Sequence, residues 1–340
     1  MSFVAPSPAP AAADGVYAAI DLGTNNCRML VARPHGHAFR VVDCYSRITR
    51  LGEGLAVSGR LSEAAMERTL AALSTCAERM ARCRVSRARL VATEACRRAA
   101  NGADFAARVA ERTGLALDII DAEQEAALAL AGCASLVEPG AEWVLVFDIG
   151  GGSTELVWVR NHAEGHRVEG VQSLPLGVVT LAEAVGQALY RPDSYLAIVA
   201  DIAGRLWEFE RRHGIARRLA GGRVQMLGTS GTVTTLAALH LDLERYDRSR
   251  IDGLDLGFHH IAAVTTRLAA MSAAERALHP CIGPERADLV LAGCAILQAM
   301  CGLWPLTTLR VADRGVREGI LLGLMRQDGA LARPQAEPAS

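Results

Sequence analysis

The sequence predicts an α/β protein made of two similar domains with mixed sheets and a cleft between them. Two apolar runs, each ending in Asp, are followed by a turn of small residues and a second apolar run; they cover 19–32 and 146–159. After each pair, short β-branched runs alternate with helical stretches, which is typical of α/β domains. The 340 residues also suit two domains, at about 150 residues for each domain.

The first half is predicted to form a hairpin, a third strand, and then alternating helices and strands. In the clearest helix, 61–83, Met66, Leu70 and Leu73 fall on one stripe, and Ser62 is suited to cap the N-terminus. The run Glu138-Pro139-Gly140 predicts a break and the crossover to the second half. The other predicted elements are strands at 41–43, 89–93 and 117–120 and helices at 94–101, 105–113 and 122–136.

The second half repeats this pattern. Its predicted strands are 143–147, 156–160, 167–174, 224–227 and 309–311, and its predicted helices are 179–189, 193–213, 233–241, 260–271, 285–302 and 316–325. The last helix is expected to return to the first domain, which would make that domain discontinuous. We therefore expect domain I over 16–138 with helix 316–326, domain II over 141–313, and disordered tails at 1–15 and 327–340.

Both hairpin turns are suited to bind an anion, because small residues let backbone N–H groups converge. The residues expected to cradle phosphates are Gly23, Thr24, Asn25, Gly151, Gly152 and Ser153. Asp21 and Asp148, which end the two first strands, and Glu155, across the second turn, are candidate Mg²⁺ holders, partly through water. Two such hairpins predict a phosphate and Mg²⁺ clamp, and two merely structural glycine turns are the alternative.

The composition excludes several other kinds of site. All 36 basic residues are Arg, so the chain has no Walker A lysine and no Schiff-base lysine. A net charge of −1 provides no overall field to attract nucleic acid. No apolar run reaches the ~18 residues that a membrane span needs. The nine scattered cysteines and the absence of a basic start at the N-terminus favour the cytoplasm.

Seven motifs, in order and spacing, resemble those of the exopolyphosphatase/guanosine pentaphosphate phosphohydrolase family. The motifs are Ala19–Asn25, Arg50–Leu55, Ala92–Arg97, Glu123–Ala126, Asp148–Glu155, Leu227–Thr232 and Asp313–Gly319. The resemblance covers 16–325, nearly the whole chain. It implies the fold of the actin and hexokinase superfamily, with two actin/ribonuclease-H-like domains around an interdomain cleft.

The chain departs from the family pattern at three points. Asn26 stands where the family usually has Ser, and Gln124 stands where many members have a second Glu. The chain also ends soon after Met325 and lacks the C-terminal helical region of the larger members. It therefore resembles a short-form member, which leaves open the homodimer known for long forms.

The resemblance implies roles for individual residues. Glu125 matches the catalytic glutamate, the general base that would orient and deprotonate water for phosphoanhydride hydrolysis. Arg97 matches the phosphate-binding arginine. Gly228, Thr229 and Ser230 correspond in position to the nucleotide-side loop of the superfamily and are further phosphate-binding candidates. The alternatives are a helix acid that complements the macrodipole for Glu125, a solvated arginine for Arg97, and a plain strand-to-helix turn for the loop.

The function implied is a Mg²⁺-dependent exopolyphosphatase. Hydrolysis of guanosine pentaphosphate is the first alternative, and a non-catalytic sensor of a guanosine alarmone is the second; the sequence does not separate the first two. Arg50 and Arg317 are weaker phosphate-binding candidates. The arginines of 211–223 suit either a polyphosphate guide or a solvated helix end.

Overall fold

The computed structural model of the protein describes residues 15–162 and 165–332, so most of both predicted tails lies outside the described residues. The first half forms five strands, β1 Tyr17–Leu22, β2 Asn26–His35, β3 Ala38–Ile48, β4 Arg87–Ala92 and β5 Leu117–Ile119. Its helices are α1 Leu55–Ser58, α2 Glu63–Arg82, α3 Glu94–Arg98, α4 Gly102–Thr113 and α5 Ala122–Cys133, which a 3₁₀ turn extends over Ala134–Leu136.

The second half forms six strands, β6 Trp143–Ile149, β7 Thr154–His162, β8 Gly165–Leu174, β9 Val224–Thr229, β10 Asp255–Gly257 and β11 Thr308–Ala312. The helices between β8 and β10 are α6 Val178–Val185, α7 Pro192–His213, α8 Ile215–Leu219, α9 Ser230–His240 and α10 Arg248–Ile251, with a 3₁₀ turn over Gly186–Tyr190. The later helices are α11 Phe258–Ala270, α12 Ala273–Leu278, α13 Val290–Leu303 and α14 Val316–Gln327.

The two sheets share one strand arrangement. The first has the order β3-β2-β1-β4-β5, and the second has the order β8-β7-β6-β9-β11 with β10 added at the far edge. In each sheet three consecutive strands form an antiparallel meander, and its first strand pairs in parallel with a later strand, β4 or β9. This repeated, mixed topology confirms the predicted fold class.

The long predicted helices are confirmed, whereas some of their ends differ. Ser62 caps α2 as predicted, by accepting a hydrogen bond from the Ala65 N–H at 3.3 Å. Helix α3 ends at Arg98 rather than at 101, and the Asn101 side chain instead bonds both backbone groups of Leu61, at 2.8 and 3.0 Å. Helix α13 begins at 290 rather than 285. The short elements α1, α8, α10, α12 and β10 were not predicted, because so few residues carry little periodicity.

Helices α5 and α14 each pack on the sheet formed by the other half of the chain. Helix α5 follows the first sheet but packs on the second, where Ala126 and Leu130 join the strand residues Val144 and Val146. Helix α14 follows the second sheet but packs on the first, beside β1 and β2. The domain division stays a prediction: α14 packs on the first sheet, as the division expects, whereas α5, which the division assigns to domain I, packs on the second sheet. Within the described ranges, no helix combines the length and apolar character that crossing a membrane requires.

The two exchanged helices cross at very close range. A Cβ added to Gly132 would lie 2.0 Å from the Gly315 carbonyl oxygen, and one added to Gly319 would lie 2.0 Å from that of Leu128. Only glycine fits at such a backbone approach. Because Glu125 lies in the first turn of α5, this crossing helps to set where that carboxyl group stands relative to both sheets.

Residues 327–332, which the sequence placed in a disordered tail, are instead tied to the first sheet. The Asp328 carboxylate accepts a hydrogen bond from the Tyr17 hydroxyl at 2.9 Å and forms an ion pair with Arg87. The Ala332 N–H donates to the Gly36 carbonyl at 3.0 Å. These partners lie far away in sequence, so local composition could not reveal them.

Candidate active site

The two predicted hairpin turns have the same backbone geometry. The Gly23 N–H donates to the Asn26 carbonyl at 2.9 Å, and the Gly150 N–H donates to the Ser153 carbonyl at 2.9 Å. Asp21 lies opposite Arg28 in the first hairpin, and Asp148 lies opposite Glu155 in the second. Each turn thus follows directly on an Asp at a strand end, as the sequence predicts.

The turns face each other at contact distance. A Cβ added to Gly151 would lie 3.1 Å from the Asn25 backbone nitrogen, and one added to Gly152 would lie 2.5 Å from Thr24 Oγ1. Gly177, at the start of α6, supports the second turn, because a Cβ there would lie 2.4 Å from the Gly151 carbonyl. The glycines are therefore needed for the close approach of the two halves.

Several turn amides point to an anion site. In the part of the chain that the structure describes, the N–H groups of Thr24, Asn25, Gly151, Gly152 and Ser153 donate to no protein acceptor. The Gly23 N–H differs, because it is engaged inside its own turn. The Asn25 side-chain oxygen is also buried without a partner among the described residues. Buried donors without partners are costly, so these amides suit a phosphate ligand.

A cavity of about 130 Å³ lies between the turns. Both turns line it, together with Asp21, Asp148 and Glu125 and the N-terminal residues Ser230, Gly231 and Thr232 of α9. The structure thus brings residues of four chain segments together around one space. Glu155 and Arg97 stand behind this lining rather than in it.

Glu125 is set at the cavity by the start of α5. Asp121 caps the helix, because its carboxylate accepts a hydrogen bond from the Gln124 N–H at 2.7 Å. In return, the Gln124 side-chain oxygen accepts one from the Asp121 N–H at 3.2 Å. The Glu125 side chain is buried and lies 3.2 Å from an Arg97 nitrogen. Burial, and then the nearby Glu155 carboxylate, raise the pKa of Glu125 well above its usual value, whereas Arg97 opposes the rise.

The other three acids crowd the same space. Burial raises the pKa of Asp148 to about 6, and the Asp21 carboxylate adds to the rise. Burial and then Asp148 raise the pKa of Glu155 to about 7, although the hydroxyls of Ser153 and Ser173 donate to it at 2.6 and 2.8 Å. Burial also raises the pKa of Asp21, which Arg28 counteracts. Mutual repulsion among buried carboxylates favours a cation between them.

A metal ion bound directly by all three predicted acids does not match this geometry. Among the described residues, no three His, Cys, Asp or Glu side chains converge as a metal site. Mg²⁺ usually keeps several waters and takes only one or two carboxylates, with substrate phosphates completing its shell. The buried carboxylates around the cavity fit that mode of binding.

Arg97 has protein partners on both sides. It donates to Glu94 at 2.8 Å, to Glu125 at 3.2 Å and to the Ile120 carbonyl at 2.8 Å. It is therefore no solvated helix arginine, and its direct partner in this structure is the candidate base. Its predicted contact with phosphate stays a prediction.

The predicted loop is displaced along the chain relative to the cavity. Gly228 lies inside β9, where its Cα faces the Phe147 ring, and the Thr229 hydroxyl donates to the Arg314 carbonyl at 2.6 Å. Neither lines the cavity. Ser230 does line the cavity. Its backbone has a left-handed φ of 77°, and its hydroxyl donates a hydrogen bond to the Ile149 carbonyl at 2.5 Å. The strand thus runs two residues further than predicted, and Ser230, Gly231 and Thr232 replace Gly228 and Thr229 at the site.

Sequence reasoning missed two arginines that line the cavity, Arg28 and Arg286. The Arg28 side chain has no hydrogen bond or ion pair with any described residue. Arg286 donates to the Thr235 hydroxyl at 3.2 Å, and burial and then Arg28 lower its pKa. Two guanidinium groups that repel each other in a cavity suit an anionic ligand. A charged residue within the apolar run 27–32 was the signal for Arg28; the sequence carried no signal for Arg286.

The weaker arginine candidates do not line the cavity. Arg50 faces Asp288 at 3.6 Å, and Arg317 lies beside Glu318 at 3.9 Å, near enough to Asp21 to lower the pKa of that carboxyl group. In the stretch 211–223, Arg212 pairs with Glu208 and the Arg218 guanidinium stacks on the Trp143 ring at 4.0 Å. These contacts favour the solvated and structural interpretation of that stretch.

Comparisons with known proteins show the family of this chain. The model of the Ppx/GppA phosphatase family matches residues 30–328. Exopolyphosphatase 2 of Mycobacterium tuberculosis is 33% identical over 330 residues, which cover 90% of this chain and 98% of that protein. The crystal structure of the Aquifex aeolicus member of the Ppx/GppA family is 29% identical, with a TM-score of 0.74 over 92% of this chain and 98% of that one.

A more distant structure agrees in fold alone. An exopolyphosphatase from Cytophaga hutchinsonii is 22% identical, with a TM-score of 0.83 over 93% of this chain and all of that one. The family match covers most of the chain; it begins at residue 30, within β2 and after the first turn, and includes the whole second hairpin. The chain therefore belongs to the Ppx/GppA phosphatase family, as its motifs predict.

Proposed function

We propose that this protein is a Mg²⁺-dependent exopolyphosphatase, which releases terminal orthophosphate from inorganic polyphosphate by direct attack of water. The observation that carries the proposal is a buried glutamate, Glu125, facing two glycine turns whose free amides converge on the same cavity. The name of the mycobacterial relative supports polyphosphate as the substrate. Free thiols at all nine cysteines support a reducing compartment such as the cytoplasm.

Glu125 would take the proton from the attacking water. A general base works best when its pKa lies near the working pH. Burial and the neighbouring acids raise the pKa of Glu125 above its usual value, while Arg97 at 3.2 Å holds the ionised form in place. A raised pKa beside a guanidinium group at 3.2 Å supports Glu125 as the general base.

The turns and arginines would hold the terminal phosphates. Amides at fixed positions stabilise the charge that develops on the transferring phosphoryl group without having to reorient. Arg28 and Arg286 add cationic donors from two different parts of the chain, and their mutual repulsion would be relieved by a phosphate between them. Ser230, Gly231 and Thr232 would close the other side.

Asp21, Asp148 and Glu155 would hold Mg²⁺, in part through its water shell. When bound, the ion neutralises charge on the phosphoryl oxygens and helps to order the substrate. Glu155 is the most firmly placed of the three, because two serine hydroxyls fix one of its oxygens. Asp21 and Asp148 approach the cavity from the two halves, so their spacing depends on the closed arrangement of the turns.

The test is phosphate release from long-chain polyphosphate, tripolyphosphate and guanosine pentaphosphate, with and without Mg²⁺. We expect Mg²⁺-dependent release, fastest from long-chain polyphosphate. Faster release from guanosine pentaphosphate would replace the proposed substrate by the first alternative. Tight binding of a guanosine nucleotide without release from any of the three would support the sensor.

A matched pair of variants tests the base. Glu125→Gln keeps the size of the side chain but cannot accept a proton, and general-base catalysis typically contributes about 10²–10⁴-fold. Turnover should fall by that order while polyphosphate binding survives. Glu123→Gln, on the exposed side of the same helix turn, should keep wild-type turnover. Equal turnover of the two variants would remove Glu125 from the mechanism.

A further inference from the structure

Two further cavities adjoin the candidate active site, one on each side. The first, of about 370 Å³, lies between β2–β3 and the segment 280–286 and shares Asn26, Arg28 and Arg286 with the active-site cavity. We call it the basic groove. The second, of about 320 Å³, shares Asn25 and Leu289 and is called the acidic cavity. These two spaces are candidate paths for a substrate longer than the active-site cavity.

The two spaces differ in charge. Among the described residues, the basic groove is lined by Arg28, Arg47 and Arg286 against one carboxylate, Glu285. The acidic cavity is lined by three carboxylates, Glu53, Glu183 and Asp288, against one arginine, Arg50. A chain of phosphates carries negative charge along its whole length, so its free energy is lower beside the arginines.

Two of the three arginines of the basic groove have side chains available to a ligand. Within the described part of the chain, the side chains of Arg28 and Arg47 form no hydrogen bond or ion pair, and Arg47 is exposed, whereas Arg286 donates to the Thr235 hydroxyl at 3.2 Å. Polar groups of the acidic cavity are in use instead. Arg50 faces Asp288 at 3.6 Å, and Glu183 accepts a hydrogen bond from the Gly54 N–H at 3.1 Å.

We propose that the phosphates not being hydrolysed leave the active-site cavity between Arg28 and Arg286 and lie along the basic groove. This inference rests on the proposed exopolyphosphatase function and names the path of its substrate. Arg28 and Arg286 belong to both spaces, so they stand where the chain would cross from one to the other. Long chains then gain contacts that tripolyphosphate cannot make.

Ser46 offers a way to test the groove without touching the active-site cavity. It is exposed, lines the groove only, and is the strand partner of Arg28, so the two side chains lie on one face of the sheet. Ser46→Glu places a negative charge in the path of the chain. Gln187→Glu adds the same charge to the acidic cavity, where Gln187 is exposed.

The readout is KM for long-chain polyphosphate divided by KM for tripolyphosphate. Ser46→Glu should raise this ratio about tenfold, because a like charge then opposes the chain but not the short substrate. Gln187→Glu should leave the ratio at the wild-type value, and Ser46→Gln, which adds bulk without charge, should raise it far less. Thermal melting of each variant verifies that it is folded.

Three results would overturn the proposal. The first is that neither KM changes in Ser46→Glu, so that the ratio is unchanged. The second is that both KM values of Ser46→Glu rise by the same factor, which also leaves the ratio unchanged. The third is a raised ratio in Gln187→Glu, which would mean that the chain runs through the acidic cavity. Failure of the proposed function looks different, because the wild-type protein would then release no phosphate from polyphosphate of any length.

Discussion

Replacing Asp148 by Asn should abolish Mg²⁺-dependent turnover and at the same time stabilise the fold at pH 8. Asp148 ends β6 at the cavity, half-buried, with the Asp21 carboxylate nearby. The ionised form of Asp148 therefore has a higher free energy in the folded protein than in the unfolded chain. Asn has almost the same shape and no charge, so the variant loses a ligand for the cation and also loses this cost.

The structure indicates how large the effect should be. Burial and Asp21 raise the pKa of Asp148 from an ordinary value of 3.8 to about 6. At 1.36 kcal/mol for each pKa unit, the ionised side chain costs about 3 kcal/mol of folding free energy. Because the folded state holds the proton more tightly, stability falls as pH rises from 3.8 to about 6, and the full cost is present above that window.

The assay is thermal melting of wild-type and variant protein at pH 8 and at pH 4.5, without and with Mg²⁺. Asp148→Asn should melt several degrees higher than wild type at pH 8, and the difference should shrink at pH 4.5. Mg²⁺ should raise the melting temperature of the wild type, because it binds only the folded state, and should raise that of the variant less. Asp104→Asn, at an exposed site on α4, is the charge-matched control. It should change neither the pH dependence of the melting temperature nor the effect of Mg²⁺ on it.

The reasoning is refuted if the variant is less stable than wild type at pH 8, or if its stability difference does not depend on pH. In either case the carboxylate would be stabilising where it stands. Normal turnover of the variant at limiting Mg²⁺ would refute the metal role separately, since the pH measurement does not depend on the reaction.

The close approaches of glycine support two further predictions. Gly152→Ala would place a Cβ 2.5 Å from Thr24 Oγ1 and push the two turns apart. It should lower kcat about 10²-fold with little loss of stability. Gly140→Ala has open space around the added Cβ and should keep wild-type kcat. Gly319→Ala places a Cβ against the Leu128 carbonyl and should lower the free energy of unfolding, measured in denaturant, by at least about 1–3 kcal/mol. Gly323→Ala lies one turn later, where an added Cβ meets open space, and should raise that free energy by up to about 1 kcal/mol. Equal effects of the two members of either pair would contradict the close-contact explanation.

The parts of the site that were predictable are those encoded over a few residues. An Asp at the end of an apolar run, followed by a small-residue turn, appears twice in the sequence, and the two hairpins have the geometry that this pattern predicts. The strand-to-helix turn at Ser230 was misplaced by two residues, because β9 continues through Gly228 and Thr229, where Gly228 contacts Phe147 of the paired strand β6. That contact depends on strand pairing and has no local signature.

By itself, the sequence determined the family, the repeated sheet topology and the identity of the acids, because each depends on local periodicity or on motifs of a few residues. Only the tertiary structure decided which cations share the cavity with those acids. Arg28 and Arg286 stand 258 positions apart in the chain, and they meet because the segment 280–286 of the second half lies beside β2 and β3 of the first half. Such a meeting is set by the packing of whole elements, and residue spacing along the chain carries no record of it.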